Sequence, residues 1–162
     1  MRNGRTFHTP LIVYFDMDNT MFDFTVAYND SKRKNPEIEY PQSQQGFFEN
    51  LEPIPGAIET FKRLTRYRDF DPYILTAPSI LNPLCYTEKR NCIEKHLGTD
   101  ALNRLIISPV KNLSKGDILI DDMAHGKGQE RFDGHLILFG SPRFPDWKSI
   151  NKYFTDMTKG DE

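Results

Sequence analysis

Four short apolar runs recur along the chain: LIVYF at 11–15, PYILT at 72–76, ILID at 118–121 and HLILF at 135–139; a weaker fifth, RLIIS, covers 104–108. They are continuous rather than alternating, the pattern of strands buried on both faces of a parallel sheet. Between them the apolar spacing becomes helical. PGAIETFKRLTRY opens on a Pro-Gly turn and sets Ile58, Phe61 and Leu64 along one face. YTEKRNCIEKHLG groups Cys92, Ile93, His96 and Leu97, then stops at Gly98, a C-terminal signal. FPDWKSINKYF predicts a last helix with Asp146 as its cap. Strands alternating with helices predict right-handed crossovers and a three-layer α/β fold.

Residues 21–52 break this rhythm. The middle, NDSKRKNPEIEYPQSQQ, is polar, while Phe22, Phe24, Tyr28, Phe47 and Phe48 mark the two ends. This reads as an insertion after the first strand, a small cap over the carboxyl edge of the sheet. The catalytic core then comprises residues 1–20 and 53–162. No internal repeat is visible.

Length and composition agree with one globular domain. The chain has 162 residues, 38% hydrophobic and 27% charged, enough for a core and too apolar for disorder. A net charge of −2, with basic residues scattered, gives no electrostatic footprint for duplex nucleic acid. No apolar stretch approaches the ~20 residues of a membrane span. The start, MRNGRTFHTP, lacks the apolar region of a secretory signal. Cys85 and Cys92 are the only cysteines; seven residues apart on one helix, their Cα atoms lie ~10 Å from each other, too far for a disulfide. Reduced thiols in a cytoplasmic compartment are the expectation, and a homodimer is left open.

Ligands of an open parallel sheet bind outside the carboxyl ends of its strands, so the residues that follow each run are the place to look. Asp16 and Asp18 follow the first, Thr76 ends the second, Lys111 comes after the third, and Asp121 and Asp122 close the fourth. Carboxylates, a hydroxyl and an amine suit a hard cation and a phosphate together. Mg²⁺ prefers oxygen ligands and would relieve repulsion among Asp16, Asp121 and Asp122. A carboxylate can attack phosphorus, and a second one, two residues on, can protonate the leaving oxygen and then activate water. Thr76 and Lys111 would hold the non-bridging oxygens. Thr20 is expected to brace the loop. His8, His96, His125 and His135 show no metal-ligand spacing. An EF-hand starting at Asp16 fails, because Met21 and Ala27 stand where Gly and Glu are needed.

This pattern resembles the haloacid dehalogenase (HAD) superfamily, whose four motifs are matched by DMDNT, Thr76, Lys111 and IDD. The resemblance implies a HAD-like (Rossmannoid) fold, with Asp16 as nucleophile and Asp18 as general acid/base. Mg²⁺ would be held by the Asp16 side chain, the Asp18 carbonyl, and one or both of Asp121 and Asp122. A narrower likeness covers most of the chain after the insertion: FFENLEPIPGAIE, ILTAPS, CYTEKRNCIEKHLG, KNLSKGDILIDD and FGSPRFPDW resemble the 5'(3')-deoxyribonucleotidase family in order and spacing. That likeness implies a deoxyribonucleoside monophosphate as the small-molecule substrate and favours Lys111 over Lys115 as the third-motif lysine. It also implies Lys89 near the phosphate and a base stacked on Phe22, Phe47 or Phe48. Ala77 stands where animal members carry serine, and the insertion is shorter than theirs and lacks Trp. For Lys89 the alternative reading is a solvated helix face; for the aromatics it is a mini-core. Two other functions stay open: a HAD phosphatase for another small phosphomonoester such as a sugar phosphate, and a non-catalytic metal- or nucleotide-binding module.

Overall fold

The structure, a computed structural model, describes residues 9–159; His8 and most of the N-terminal stretch tested for a signal lie outside them. Five strands among the described residues form one parallel sheet: β1 (Leu11–Phe15), β2 (Phe70–Thr76), β3 (Leu105–Ile107), β4 (Ile118–Asp121) and β5 (His135–Leu138), in the order β3-β2-β1-β4-β5. All five apolar runs became strands. The second extends two residues beyond its run, because Phe70 and Asp71 pair with Leu11 and Ile12. β3 begins only opposite Ile74, so Pro72, which cannot donate to a ladder, sits where β2 has β1 alone as neighbour.

The helices are α1 (Phe24–Lys34), α2 (Ala57–Leu64), α3 (Cys85–Leu97) and α4 (Trp147–Lys159). On one sheet face, Val13, Phe15, Ile74, Ile118, Ile120 and Ile137 pack with Phe61 and Leu64 of α2, Cys92 and Ile93 of α3, and Trp147, Ile150 and Phe154 of α4. Trp147 stacks on Phe15, with ring centroids 5.3 Å apart. Asp146 caps α4 as expected, accepting from the Ser149 N–H at 2.8 Å. The other face is thinner. Tyr14, Leu75, Leu119 and Phe132 are buried there, with Ile12, Tyr73, Ile106 and Leu136 half-covered. The connections on that side hold only 3₁₀ turns, Lys111–Leu113 and Gln129–Arg131, because PVKNLSKG and HGKGQERFDGH lack the length and periodicity for a helix. Among the described residues no helix is long and apolar enough to cross a membrane.

The segment between β1 and α2 carries α1 and a 3₁₀ turn, Pro41–Ser43. No residue of α1 is fully buried. Asp23 caps its start by accepting from the Val26 N–H at 2.9 Å, and Lys32, Arg33 and Lys34 in its last turn oppose the negative end of the helix dipole. The segment rejoins the sheet layer at Gly56, whose φ of 89° and a Cβ position 2.9 Å from Trp147 Cβ exclude a side chain.

Candidate active site

Chain order runs outward from β1 through β2 to β3, then returns to β4 on the opposite side of β1. That reversal leaves a crevice at the carboxyl ends of β1 and β4. Asp16, one residue past β1, donates its N–H to Ile120 O at 2.9 Å, so its position is locked to β4. Asp121 is the last residue of β4. Oxygens of Asp16, Asp121 and Asp122 lie within 4.8 Å of one another. Lys111, only 2% exposed, donates to both Asp16 Oδ1 and Asp121 Oδ2. Two further donors hold Asp121: Met123 N–H at 2.9 Å and Gln129 Nε2 at 3.2 Å. Asp122 has neither Lys111 nor Gln129. Burial, then repulsion from Asp16 and Asp121, pushes its carboxyl up to about 7.

The loop after Asp16 is a tight reversal. Met21 and Phe22 both donate to Met17 O, at 3.0 and 2.8 Å, and Asn19 takes a positive φ of 55°, a conformation Asn tolerates better than most residues. Asn19 Oδ1 then accepts from the backbone N–H and the hydroxyl of Thr25, each at 2.9 Å, tying the loop to α1. Thr20 is fully buried and braces two neighbours. Its hydroxyl accepts from the Asp122 N–H at 3.0 Å, and its carbonyl accepts from Trp147 Nε1 at 2.9 Å. The C-terminal helix thus supports the acidic cluster through one threonine.

Asp18 points to a different partner. Its Oδ2 accepts from Lys89 Nζ at 2.7 Å, while its Oδ1 is buried without a hydrogen bond. Burial raises its carboxyl above the usual range, Lys89 opposing that rise and Asp16 adding to it. Lys89 is fully buried and donates also to Thr76 Oγ1 at 2.7 Å and Ala77 O at 2.8 Å. A solvated lysine is therefore the wrong reading of Lys89: its three donors are directed at Asp18 and the end of β2.

A cavity of about 390 Å³ opens over this floor, lined by Asp16, Asp18, Lys111, Asp121, Asp122 and Gln129 below and by Phe24, Phe48, Ala77, Ile80 and Leu81 at the sides. Thr76 and Lys89 stand behind the lining rather than in it. Of the aromatics expected over a base, Phe48 lines the cavity. Phe22 is fully buried against His96, ring centroids 5.3 Å apart, and Phe47 packs on Phe24 at 5.2 Å; neither reaches the lining. Phe24, not singled out for that role, takes the place beside Phe48. Phe24, Phe47 and Phe48 also pack on one another, so the mini-core and the cavity wall are one structure. Sequence reasoning missed Gln129 and Glu88, the latter a buried carboxyl on α3.

The chain matches a family profile described as 5' nucleotidase, deoxy (pyrimidine), cytosolic type C protein over residues 29–160. A protein of Vibrio phage KVP40 is 38% identical over 151 residues, covering 91% of this chain and 86% of that protein. One from Bordetella pertussis is 30% identical, covering 82% and 84%. Both carry the name "Putative 5'(3')-deoxyribonucleotidase". The human cytosolic-type 5'(3')-deoxyribonucleotidase is 39% identical over 85 residues, 52% of this chain and 42% of the human protein.

Proposed function

Because the chain belongs to the 5' nucleotidase, deoxy (pyrimidine), cytosolic type C family, we propose that it hydrolyses deoxyribonucleoside 5'-monophosphates through an aspartyl-phosphate on Asp16, with Mg²⁺ as cofactor. The observation that carries this reading is the cluster at the β1/β4 crevice: three carboxylates within 4.8 Å, with Lys111 on two of them.

The donor set fits a hard divalent cation. It offers carboxylate oxygens, and the burial and mutual repulsion that raise Asp122 to about 7 are what such a cation relieves. Asp16, the Asp18 carbonyl, and Asp121 or Asp122 would hold it. When bound, Mg²⁺ supplies positive charge against the phosphate oxygens.

The chain's own groups do the rest. An Asp16 oxygen attacks phosphorus, the bond to the 5' oxygen breaks, and Asp18 delivers a proton to that oxygen as the nucleoside leaves. Asp18 then takes a proton from water, whose oxygen attacks the same phosphorus and frees Asp16. Burial raises the Asp18 carboxyl, against the pull of Lys89, in the direction a general acid needs. Lys111 orients Asp16 and, with the neighbouring Ala77 backbone, faces the transferring phosphoryl group, while Thr76 sits behind them and fixes Lys89 by accepting from its ammonium. Residues 21–52 act as a small cap whose aromatic side meets the base. Both cysteines remain free thiols, in keeping with a reducing, cytoplasmic setting.

A panel of nucleoside monophosphates with and without Mg²⁺ tests the reading. Phosphate release from dTMP and dUMP should exceed that from glucose 6-phosphate by at least about tenfold, and chelation should abolish it. A preference for glucose 6-phosphate would move the protein to another phosphomonoester. No release from any substrate, despite measurable Mg²⁺ binding, would leave a silent binding module.

A further inference from the structure

Glu88 is 3% exposed and lies outside the acidic cluster, yet its carboxylate is fully engaged. Oε1 accepts from the Gly46 N–H at 2.6 Å; Oε2 accepts from the Phe48 N–H at 3.1 Å and from Asn82 Nδ2 at 3.0 Å. Two of those donors are backbone groups of the inserted segment, two residues apart. Gly46 has a φ of 84°, which turns the chain so that both N–H groups converge on one side chain. Asn82 adds a long bond to Gln44 O at 3.4 Å and is itself fixed by accepting from the Leu84 N–H at 2.9 Å. The next residue on α3, Lys89, places its ammonium 5.0 Å from the centroid of the Phe48 ring. Successive residues of one helix thus fix the backbone of Phe48 and pack against its ring, and Phe48 walls the cavity.

We propose that Glu88 is a positioning residue for nucleobase recognition: it clamps residues 46–48 of the inserted segment so that Phe48 presents a fixed face to the base of the substrate. The proposal rests on the nucleotidase reading above and extends it to what selects the base-bearing substrate. A loop that carries a stacking ring loses affinity when it becomes mobile, since the ring must be ordered at the cost of binding energy. Glu88 does not line the cavity, and its hydrogen bonds go to Gly46, Phe48 and Asn82 rather than to the groups of the floor. Its effect should therefore appear in the discrimination between a nucleotide and the same sugar phosphate lacking a base.

The test compares dTMP with deoxyribose 5-phosphate in wild type, Glu88→Gln and Phe48→Leu. Glutamine keeps the size and one acceptor but turns a donor toward the backbone N–H groups. The ratio of kcat/KM for dTMP to that for deoxyribose 5-phosphate should fall about tenfold in Glu88→Gln, the range of one lost base–aromatic stack, with the loss in KM. Phe48→Leu should give the same signature, and the double variant should be no more impaired in this ratio than the worse single one. A ratio that stays at the wild-type value while both activities decline overturns the proposal and leaves Glu88 a stabilising residue. If Glu88→Gln does not fold, Asn82→Ala replaces it in the cycle with Phe48→Leu, and full additivity of the two overturns the proposal. Wild-type activity on deoxyribose 5-phosphate that exceeds activity on every nucleotide would instead defeat the nucleotidase reading.

Discussion

The floor of the cavity and its inserted wall are built in opposite ways. The floor takes Asp16 and Asp121 from the ends of two neighbouring strands and Lys111 from the 3₁₀ turn that follows a third, with Thr76 at the end of β2 just behind it; all four side chains are buried and hydrogen-bonded to one another or to Lys89. The wall is a short helix with no fully buried residue, three phenylalanines and a loop hung from Glu88 by two backbone hydrogen bonds. Moving a floor residue would require moving a strand of the central sheet. Repositioning the wall requires only that a few hydrogen bonds be exchanged. On the proposed function, the chemistry belongs to the sheet and the choice of substrate to the insertion.

Asp16→Asn breaks the comparison most severely on the floor side. The amide keeps the shape but cannot act as nucleophile, so phosphate release should fall by at least about four orders of magnitude. The thermal midpoint should hold or rise, because a carboxylate is removed from a repulsive cluster. Turnover that survives in a rigorously purified Asp16→Asn preparation would remove Asp16 from the nucleophile's role.

Lys89→Met attacks the point where floor and wall meet. The variant leaves Asp18, Thr76 and the Ala77 carbonyl without their shared donor and takes the ammonium away from Phe48. Denaturant unfolding should register a loss of about 3 kcal/mol, from an ion pair broken at an Asp18 side chain 31% exposed together with Thr76 Oγ1 and Ala77 O left without their donor. Turnover should drop about 100-fold as Asp18 loses its orientation. A variant with native stability and native kcat would show that these three bonds hold nothing that matters.

The difference between the two regions also explains what could be read from the sequence. Floor residues sit at strand ends, and strand ends are marked by apolar runs that stop abruptly; Asp16, Asp121 and the five-stranded parallel sheet were legible for that reason, whereas the helical layer expected on the second face was not there among the described residues. Wall residues have no such marker. Which of Phe22, Phe24, Phe47 and Phe48 would face the cavity depends on the reversal at Asn19 and the turn at Gly46, neither of which leaves a periodic signal. Glu88 and Lys89 are a different case, since the information was present. Cys85, Glu88, Lys89, Cys92 and Ile93 are the buried residues of α3, spaced as one continuous helical face. The two cysteines define that face, and the charged pair lies between them. Charge suggested solvent, but the register pointed inward. Gln129 sits in a glycine-rich loop and carried no signal at all.

The smallest expected effect sharpens the comparison at the seam, where α3 supports the end of the insertion. Cys92 is fully buried, and its thiol donates to Leu51 O at 3.8 Å. Burial pushes that thiol from 9.0 to about 12. A group whose pKa is raised on folding favours the folded state most below its unfolded value, and that advantage drains away as pH climbs toward the folded value. The contribution of Cys92 is therefore intact below pH 9 and lost between pH 9 and about 12. By pH 10 the wild type should have lost about 1.4 kcal/mol that Cys92→Ala does not lose. Subtracting the two pH profiles of unfolding free energy removes the lysines and tyrosines common to both, so the difference belongs to this thiol. If the seam were loose enough for water to reach Cys92, the thiol would titrate near 9 in both states and the two profiles would run parallel. Parallel profiles would mean that water reaches the packing beneath the wall, and that the hydrogen bonds from Glu88 and Asn82 hold the end of the insertion without it.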